Sequence, residues 1–213
     1  MREKIVLIGG GGHAKVIIEL IKSQKMYDII GICDNQKSKV LDIPIIGTDE
    51  YLPELYQQGV KQAFICIGSI GNPKKRWDLY KNLKKIGYQL PCLIHPSAIV
   101  SSRVTLGEGT CVMPGAIINV DTHIGRMGII NTGSIVEHDC QIDDNVHISP
   151  GACLCGGVKI GQHTHIGAKA VVNQGITITN HVIVGSGSVV INDVLTQSII
   201  VGNPAHTLTK DKV

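Results

Sequence analysis

Residues 129–148 read IINTGSIVEHDCQIDDNVHI, and Ile130, Val136, Ile142 and Ile148 recur in it at intervals of six. An amphipathic helix repeats its apolar residues about every third or fourth position and a half-buried strand every second, so a strict six fits neither. Outward from this stretch the register runs from Ile94, Val100 and Leu106 to Ile178, Val184 and Val190, and every position in it is aliphatic. Four residues after each stands a small or β-branched residue, among them Thr122, Ser134, Cys140, Val146 and Ala152. A fixed period of this kind marks stacked repeats that share one interior. A six-residue period predicts a parallel β-helix, with the aliphatic position turned inward at each face of a triangular prism and three hexads per coil. Residues 94–195 hold five to six such coils with no insertion that breaks phase.

Composition agrees with a stacked interior. The 213 residues include 25 glycines but one Phe and one Trp, so Ile, Val, Leu and small residues must fill the core. The net charge is +3 and no Lys/Arg stripe forms, which argues against nucleic acid as a partner. No apolar run approaches the ~18 residues of a membrane span, and KIVLIGG (4–10) follows the first residues without a leader pattern. A cytoplasmic protein is expected, with its seven cysteines reduced and acting as small hydrophobes.

Residues 1–92 obey a different rule. Apolar runs at 4–10, 28–34, 61–68 and 89–94 alternate with helical patterns at about 13–25 and 73–86, which predicts a small parallel α/β sheet of Rossmann-like type. The domains are therefore read as 1–92 and 93–213. GGGGHA (9–14) follows a strand and opens a helix, with Gly9, Gly11 and Ala14 at the loose dinucleotide-binding spacing and Asp34 closing the second strand. A nicotinamide enzyme would need a larger, two-halved fold. The plainer alternative is a tight strand-to-helix turn with Asp34 as a loop residue.

Chemistry concentrates at Glu137, His138 and Asp139. His138 lies two places after the inward Val136, so its ring should project from the prism. A carboxylate on one imidazole nitrogen fixes the tautomer and raises basicity at the other, as a general base near neutral pH requires. Either acid could supply it, since spacing does not choose between Glu137 and Asp139. Adding one coil of eighteen puts Gly156 beside His138, and it makes a column of Asn131, Ser149, Gly167 and Gly185. That column passes from polar to bare backbone and would suit a long amide-bearing ligand such as pantetheine. The same arithmetic stacks His147 on His165 and His163 on His181, but the histidine spacing of zinc-binding hexapeptide trimers is missing, so no metal is expected. Cys153 and Cys155 read as residues filling corners, and Cys140 points inward.

NTGSIVEHDC (131–140), VHISPGA (146–152), VLIGGGGHAKVI (6–17) and VGNPA (201–205) together resemble the left-handed hexapeptide β-helix acetyltransferases of nucleotide sugars. Among these they look like the N-acetyltransferases of bacillosamine synthesis and the related sialic acid O-acetyltransferases. The resemblance spans essentially the whole chain and implies a homotrimer with its sites between subunits. It implies acetyl-CoA as co-substrate and direct transfer, with His138 as base and Asp139, or else Glu137, as its partner. Asn131 and His147 would lie close to the acetyl group, and Ser149, Gly156, Gly167 and Gly185 along the cofactor groove. Gly10, Gly11, Gly12, His13, Asp34, Gly68 and Ser69 would hold the nucleotide of a UDP-linked sugar. The implied acceptor is the 4-amino group of a UDP-4-amino-4,6-dideoxy-N-acetylhexosamine, with a hydroxyl of sialic acid or another surface sugar as the alternative. A non-catalytic trimeric scaffold is the reading of a different class and predicts no acetyl-CoA binding.

Overall fold

The computed structural model describes residues 2–35, 39–69 and 73–208. It divides into two compact units, Met1–Pro96 and Ser97–Val213. In the first, β1 (Glu3–Ile8), α1 (Gly12–Gln24), β2 (Tyr27–Cys33), β3 (Ile45–Gly47), α2 (Leu52–Gln57), β4 (Gln62–Ile65) and α3 (Pro73–Ile86) follow in order. The strands form one parallel sheet in the order β3-β2-β1-β4. Central β1 is apolar without alternation at Ile5, Val6, Leu7 and Ile8, all buried, as a strand covered on both faces requires. α1 buries Ala14, Ile17, Ile18 and Ile21 at helical spacing and stops at Lys25, whose left-handed backbone (φ 57°) returns its N–H to the Ile21 carbonyl.

Three features of this unit differ from the sequence reading. β3 and α2 were not anticipated, because three and six residues are too short to display a period. In the run 89–94 only Leu93–Ile94 is a strand, and Gln89 makes an isolated parallel bridge to Gln62. Pro91 between them has no N–H to offer a ladder.

The second unit is a left-handed parallel β-helix. The strands of its repeat are two residues long and pair with the strand one coil on: Ile135↔Cys153 and Val136↔Leu154 on one face, His147↔His165 and Ile148↔Ile166 on another. The sixth-position aliphatics from Val112 to Val190 lie inside. The position four residues later is buried in most coils, which favours small residues, and a hydroxyl there bonds to backbone, of the next coil for Thr110 and Thr164 and of its own coil for Ser134. Thr122 Oγ1 donates to the Glu137 carbonyl at 2.8 Å and accepts from the Cys140 N–H at 3.3 Å.

Each corner turns on a left-handed residue three places after an inward aliphatic. At one corner these are Asp121, Asp139, Gly157 and Gly175, with φ between 57° and 71°. Asp, Asn and His are the residues other than Gly that tolerate this region best, and the other non-glycine corners include Asn145, His163 and His181. The repeat ends after Val190. Ile199–Val201 pairs with the strand at Ile183 two residues out of register, and His206–Thr207 then closes on it antiparallel.

Candidate active site

His138 stands on the outer surface with 53% of its side chain exposed, and its Nδ1 lies 2.7 Å from Asp139 Oδ2. A carboxylate can only accept, so Nδ1 carries a proton, and in the neutral ring the lone pair is then on Nε2. The corner explains the pairing of adjacent residues: the left-handed backbone of Asp139 (φ 59°) turns its side chain back to the ring before it. Glu137 is engaged elsewhere, accepting from Asn119 Nδ2 at 2.8 Å. The turn bearing all three acid and base groups is braced from the preceding coil by Thr122, through Glu137 and Cys140.

Gly156 lies under the His138 ring. A Cβ there would meet His138 Cε1 at 2.6 Å and Nε2 at 2.7 Å. The expected clearance for a cofactor arm is thus taken by the imidazole itself. The Gly156 N–H donates to no acceptor among the described residues, whereas Gly157 N–H donates to the His138 carbonyl. The column Asn131, Ser149, Gly167 and Gly185 also differs from expectation. Each of its N–H groups donates to a carbonyl of the next coil, at 2.8–2.9 Å, so it presents no row of free donors. Gly167 is glycine because a Cβ would strike the backbone of 184–186 within 2.6 Å. Ser149 and Gly167 are buried, while Asn131 and Gly185 remain half-exposed.

Asn131 Nδ2 lies 3.0 Å from His147 Nε2, and its Oδ1 accepts from the Thr132 N–H at 2.8 Å. That second bond orients the amide, so His147 Nε2 is the acceptor. The His147 ring meets His165 edge to face at 4.9 Å, and His165 Nε2 lies 3.3 Å from Ser149 Oγ. Burial holds His165 below the ordinary histidine range. His163 and His181 stack at 4.9 Å on a corner. Among the described residues no group of three or more His, Cys, Asp or Glu side chains is placed to hold a metal ion. Cys140 is fully buried, and burial pushes its thiol up to about 11, far from a thiolate nucleophile at neutral pH.

In the first unit the glycine turn sits where β1 passes into α1. α1 begins at Gly12 behind Gly11, and no side chain caps its first N–H groups. A Cβ on Gly11, Gly12 or Gly68 would meet nothing within 4 Å, so that backbone is open. Asp34 Oδ2 accepts from the Gly10 N–H at 2.7 Å, which ties the end of β2 to the turn. His13 is pulled down to about 4, first by burial and then by the charge of Arg76. Its Nε2 and the buried Ser69 Oγ have no hydrogen-bond partner among the described residues.

Known proteins agree on what carries such a layout. Residues 4–83 match the family described as the PglD N-terminal domain. A curated relative, UDP-N-acetylbacillosamine N-acetyltransferase of Bacillus subtilis, is 37% identical over 114 residues, 52% of this chain, and the match spans about half of the relative (51%). A histidine-to-asparagine variant of perosamine N-acetyltransferase from Caulobacter crescentus, solved with CoA and GDP-perosamine, is 39% identical over 97% of both chains with a TM-score of 0.93. The acetyltransferase domain of PglB from Neisseria gonorrhoeae, solved with acetyl coenzyme A, is 35% identical over 98% of this chain and 100% of that one, with a TM-score of 0.92. This chain is a sugar N-acetyltransferase of the acetyl-CoA-dependent hexapeptide-repeat family.

Sequence reasoning on this acetyltransferase passed over three residues that shape the two candidate sites. Asn119 and Thr122 act one coil before Glu137 and Cys140, and stepping back by eighteen from each would have found them. Arg76 carried no signal: it reads as one more cation in PKKRWDLYKNLKKI (73–86), yet it is fully buried.

Proposed function

We propose that this enzyme transfers the acetyl group of acetyl-CoA to the 4-amino group of a nucleotide-linked 4-amino-4,6-dideoxy sugar, with UDP-4-amino-4,6-dideoxy-N-acetylhexosamine as first candidate. The observation that carries the reading is the His138–Asp139 pair, exposed, close and tautomerically fixed. Nε2 of His138 takes a proton from the acceptor amine as its nitrogen attacks the thioester carbonyl. The resulting imidazolium is held by Asp139. The tetrahedral intermediate collapses with cleavage of the C–S bond, and the proton passes to the leaving CoA thiolate. The free N–H of Gly156 and the outer N–H of Asn131 supply donors for the oxyanion, and His147 acts by holding Asn131. A direct route agrees with the buried, protonated state of Cys140.

Acceptor binding falls to the first unit, where an uncapped helix start and open glycine backbone favour phosphate. Gly10, Gly11, Gly12, His13, Asp34, Gly68 and Ser69 are its proposed contacts. A GDP-linked amino sugar is the second reading, favoured by the likeness over nearly the full chain to the perosamine enzyme. Assembly as a homotrimer is supported by the outer positions Ile99, Ile117, Ile135, Cys153, Val171 and Val189, a column of five aliphatics and one cysteine ill-suited to water, with Ile99 64% exposed. Among the described residues no helix is long and apolar enough to cross a membrane. A cytoplasmic location is the reading that suits charged co-substrates such as acetyl-CoA and a nucleotide sugar.

Free-thiol release from acetyl-CoA tests the proposal, with UDP-4-amino-4,6-dideoxy-N-acetylglucosamine, GDP-perosamine and sialic acid as acceptors. Rapid release with an amino sugar supports it, and release with sialic acid alone points to O-acetylation. No release and no acetyl-CoA binding would leave a scaffold.

A further inference from the structure

Arg76 opens the first turns of α3 and is fully buried. A buried guanidinium needs fixed acceptors, and its NH1 donates to the Ile67 carbonyl at 3.0 Å. Ile67 in turn governs the glycine turn: its Cγ1 lies 2.6 Å from where a Cβ on Gly9 would stand. One side chain thus anchors the residue against which the 9–12 turn packs and from which the 67–69 turn continues. The same charge acts on His13, in the first turn of α1. Two buried polar atoms, His13 Nε2 at the start of α1 and Ser69 Oγ in the 67–69 turn, have no hydrogen-bond partner among the described residues.

We infer that Arg76 is a positioning residue of the acceptor site, which fixes both glycine turns through Ile67 and makes the site selective for a diphosphate-bearing sugar by a charge it keeps out of water. This rests on the nucleotide-sugar reading given above. Arg76 touches no substrate. Its position beneath the turns means that its field reaches an anion through protein, where a charge acts further than it does in water. It adds to burial, the larger cause, in keeping His13 neutral, so that Nε2 meets the ligand as a neutral hydrogen-bonding group. Lysine would retain the charge but lose the planar fork that grips a carbonyl.

Steady-state kinetics of Arg76→Met and Arg76→Lys, each varied in acceptor and in acetyl-CoA, test the inference alongside thermal melting of each variant. Arg76→Met is expected to raise KM for the amino-sugar nucleotide tenfold or more while kcat and KM for acetyl-CoA stay within twofold. Arg76→Lys should raise the same KM by a smaller factor. Histidine NMR should show His13 titrating higher in Arg76→Met. A rise in both Michaelis constants together, or in neither, overturns the inference, and if Arg76→Met fails to fold the same criterion is applied to Arg76→Lys. Should the wild type turn over neither amino-sugar nucleotide, the function reading fails separately. Calorimetric binding of UDP and GDP to wild type and variant then decides: weaker binding in the variant supports the role of Arg76, and equal binding overturns it.

Discussion

The β-helix and the α/β unit build their sites by opposite means. In the β-helix, the ties that brace the frame recur at the coil length: Asn119 with Glu137, Thr122 Oγ1 with the Cys140 N–H, Arg126 with Asp144 and Asn145 with His163 are all separated by eighteen. In the α/β unit the bonds that shape the glycine turns join Gly10 to Asp34 and Ile67 to Arg76, separations of 24 and 9 that follow no rule. A repeating backbone gives the proposed base a frame set by register, and substitutions there should act through local geometry. An irregular frame is held by single long-range ties, and substitutions there should act through charge and burial.

The sharpest way to break this comparison is at the base. His138→Ala should lower kcat by roughly a hundredfold or more, as for a removed general base, and leave acetyl-CoA binding within a fewfold. Thiol release and calorimetry measure the two. Asp139→Asn comes next. Asn accepts the left-handed corner, so the fold is kept while the charge facing the imidazolium is lost, and kcat should fall about tenfold to a hundredfold. Glu137→Gln should cost far less, since Glu137 faces Asn119. Equal losses in the two acid variants would refute the pairing read from the 2.7 Å contact.

Those residues were legible because a period of six converts sequence number into position. His138 as an outward residue, Gly156 as its neighbour and Cys140 as an inward thiol all follow from counting. What counting could not supply was orientation. It left Glu137 and Asp139 equal, and the φ of 59° at the corner breaks the tie. It read the glycine column as open backbone, because hexad phase says nothing about which N–H groups neighbouring coils consume. In the α/β unit the turn and α3 were legible from apolar runs, whereas β3, α2 and the burial of Arg76 depend on tertiary packing that leaves no local pattern.

The α/β unit offers a test by pH. His13 titrates near 4 in the fold, against 6.5 for the free side chain. Between those values the unfolded chain binds the proton more readily, so stability rises with pH: the contribution is complete above about 6.5 and is lost as pH falls toward 4. At pH 5 the loss should be on the order of 2 kcal/mol relative to pH 7. Equilibrium denaturation of the full chain at the two pH values measures it, and His13→Gln should flatten the difference. A slope unchanged in His13→Gln would show that burial and the charge of Arg76 do not act on His13 as the structure places them.

The smallest effects come from two adjacent glycines, and they separate geometry from stability within a single corner. Gly157 has φ 68°, and nothing crowds its Cβ position more closely than Gly175 Cα at 4.0 Å. Gly157→Ala should therefore cost about 1 kcal/mol of stability for the left-handed backbone and leave kcat unchanged. Gly156 needs no left-handed backbone, but an added Cβ meets the His138 ring. The exposed ring can swing outward, so Gly156→Ala should melt close to wild type. Swinging breaks the 2.7 Å bond to Asp139 and moves Nε2, and a displacement of this size should lower kcat about tenfold. Thermal melting and thiol release on the two variants give a crossed pattern: stability without activity change at 157, activity without stability change at 156. If both variants moved both quantities, the corner would be one cooperative element, and the separation between frame and base argued from register would fail.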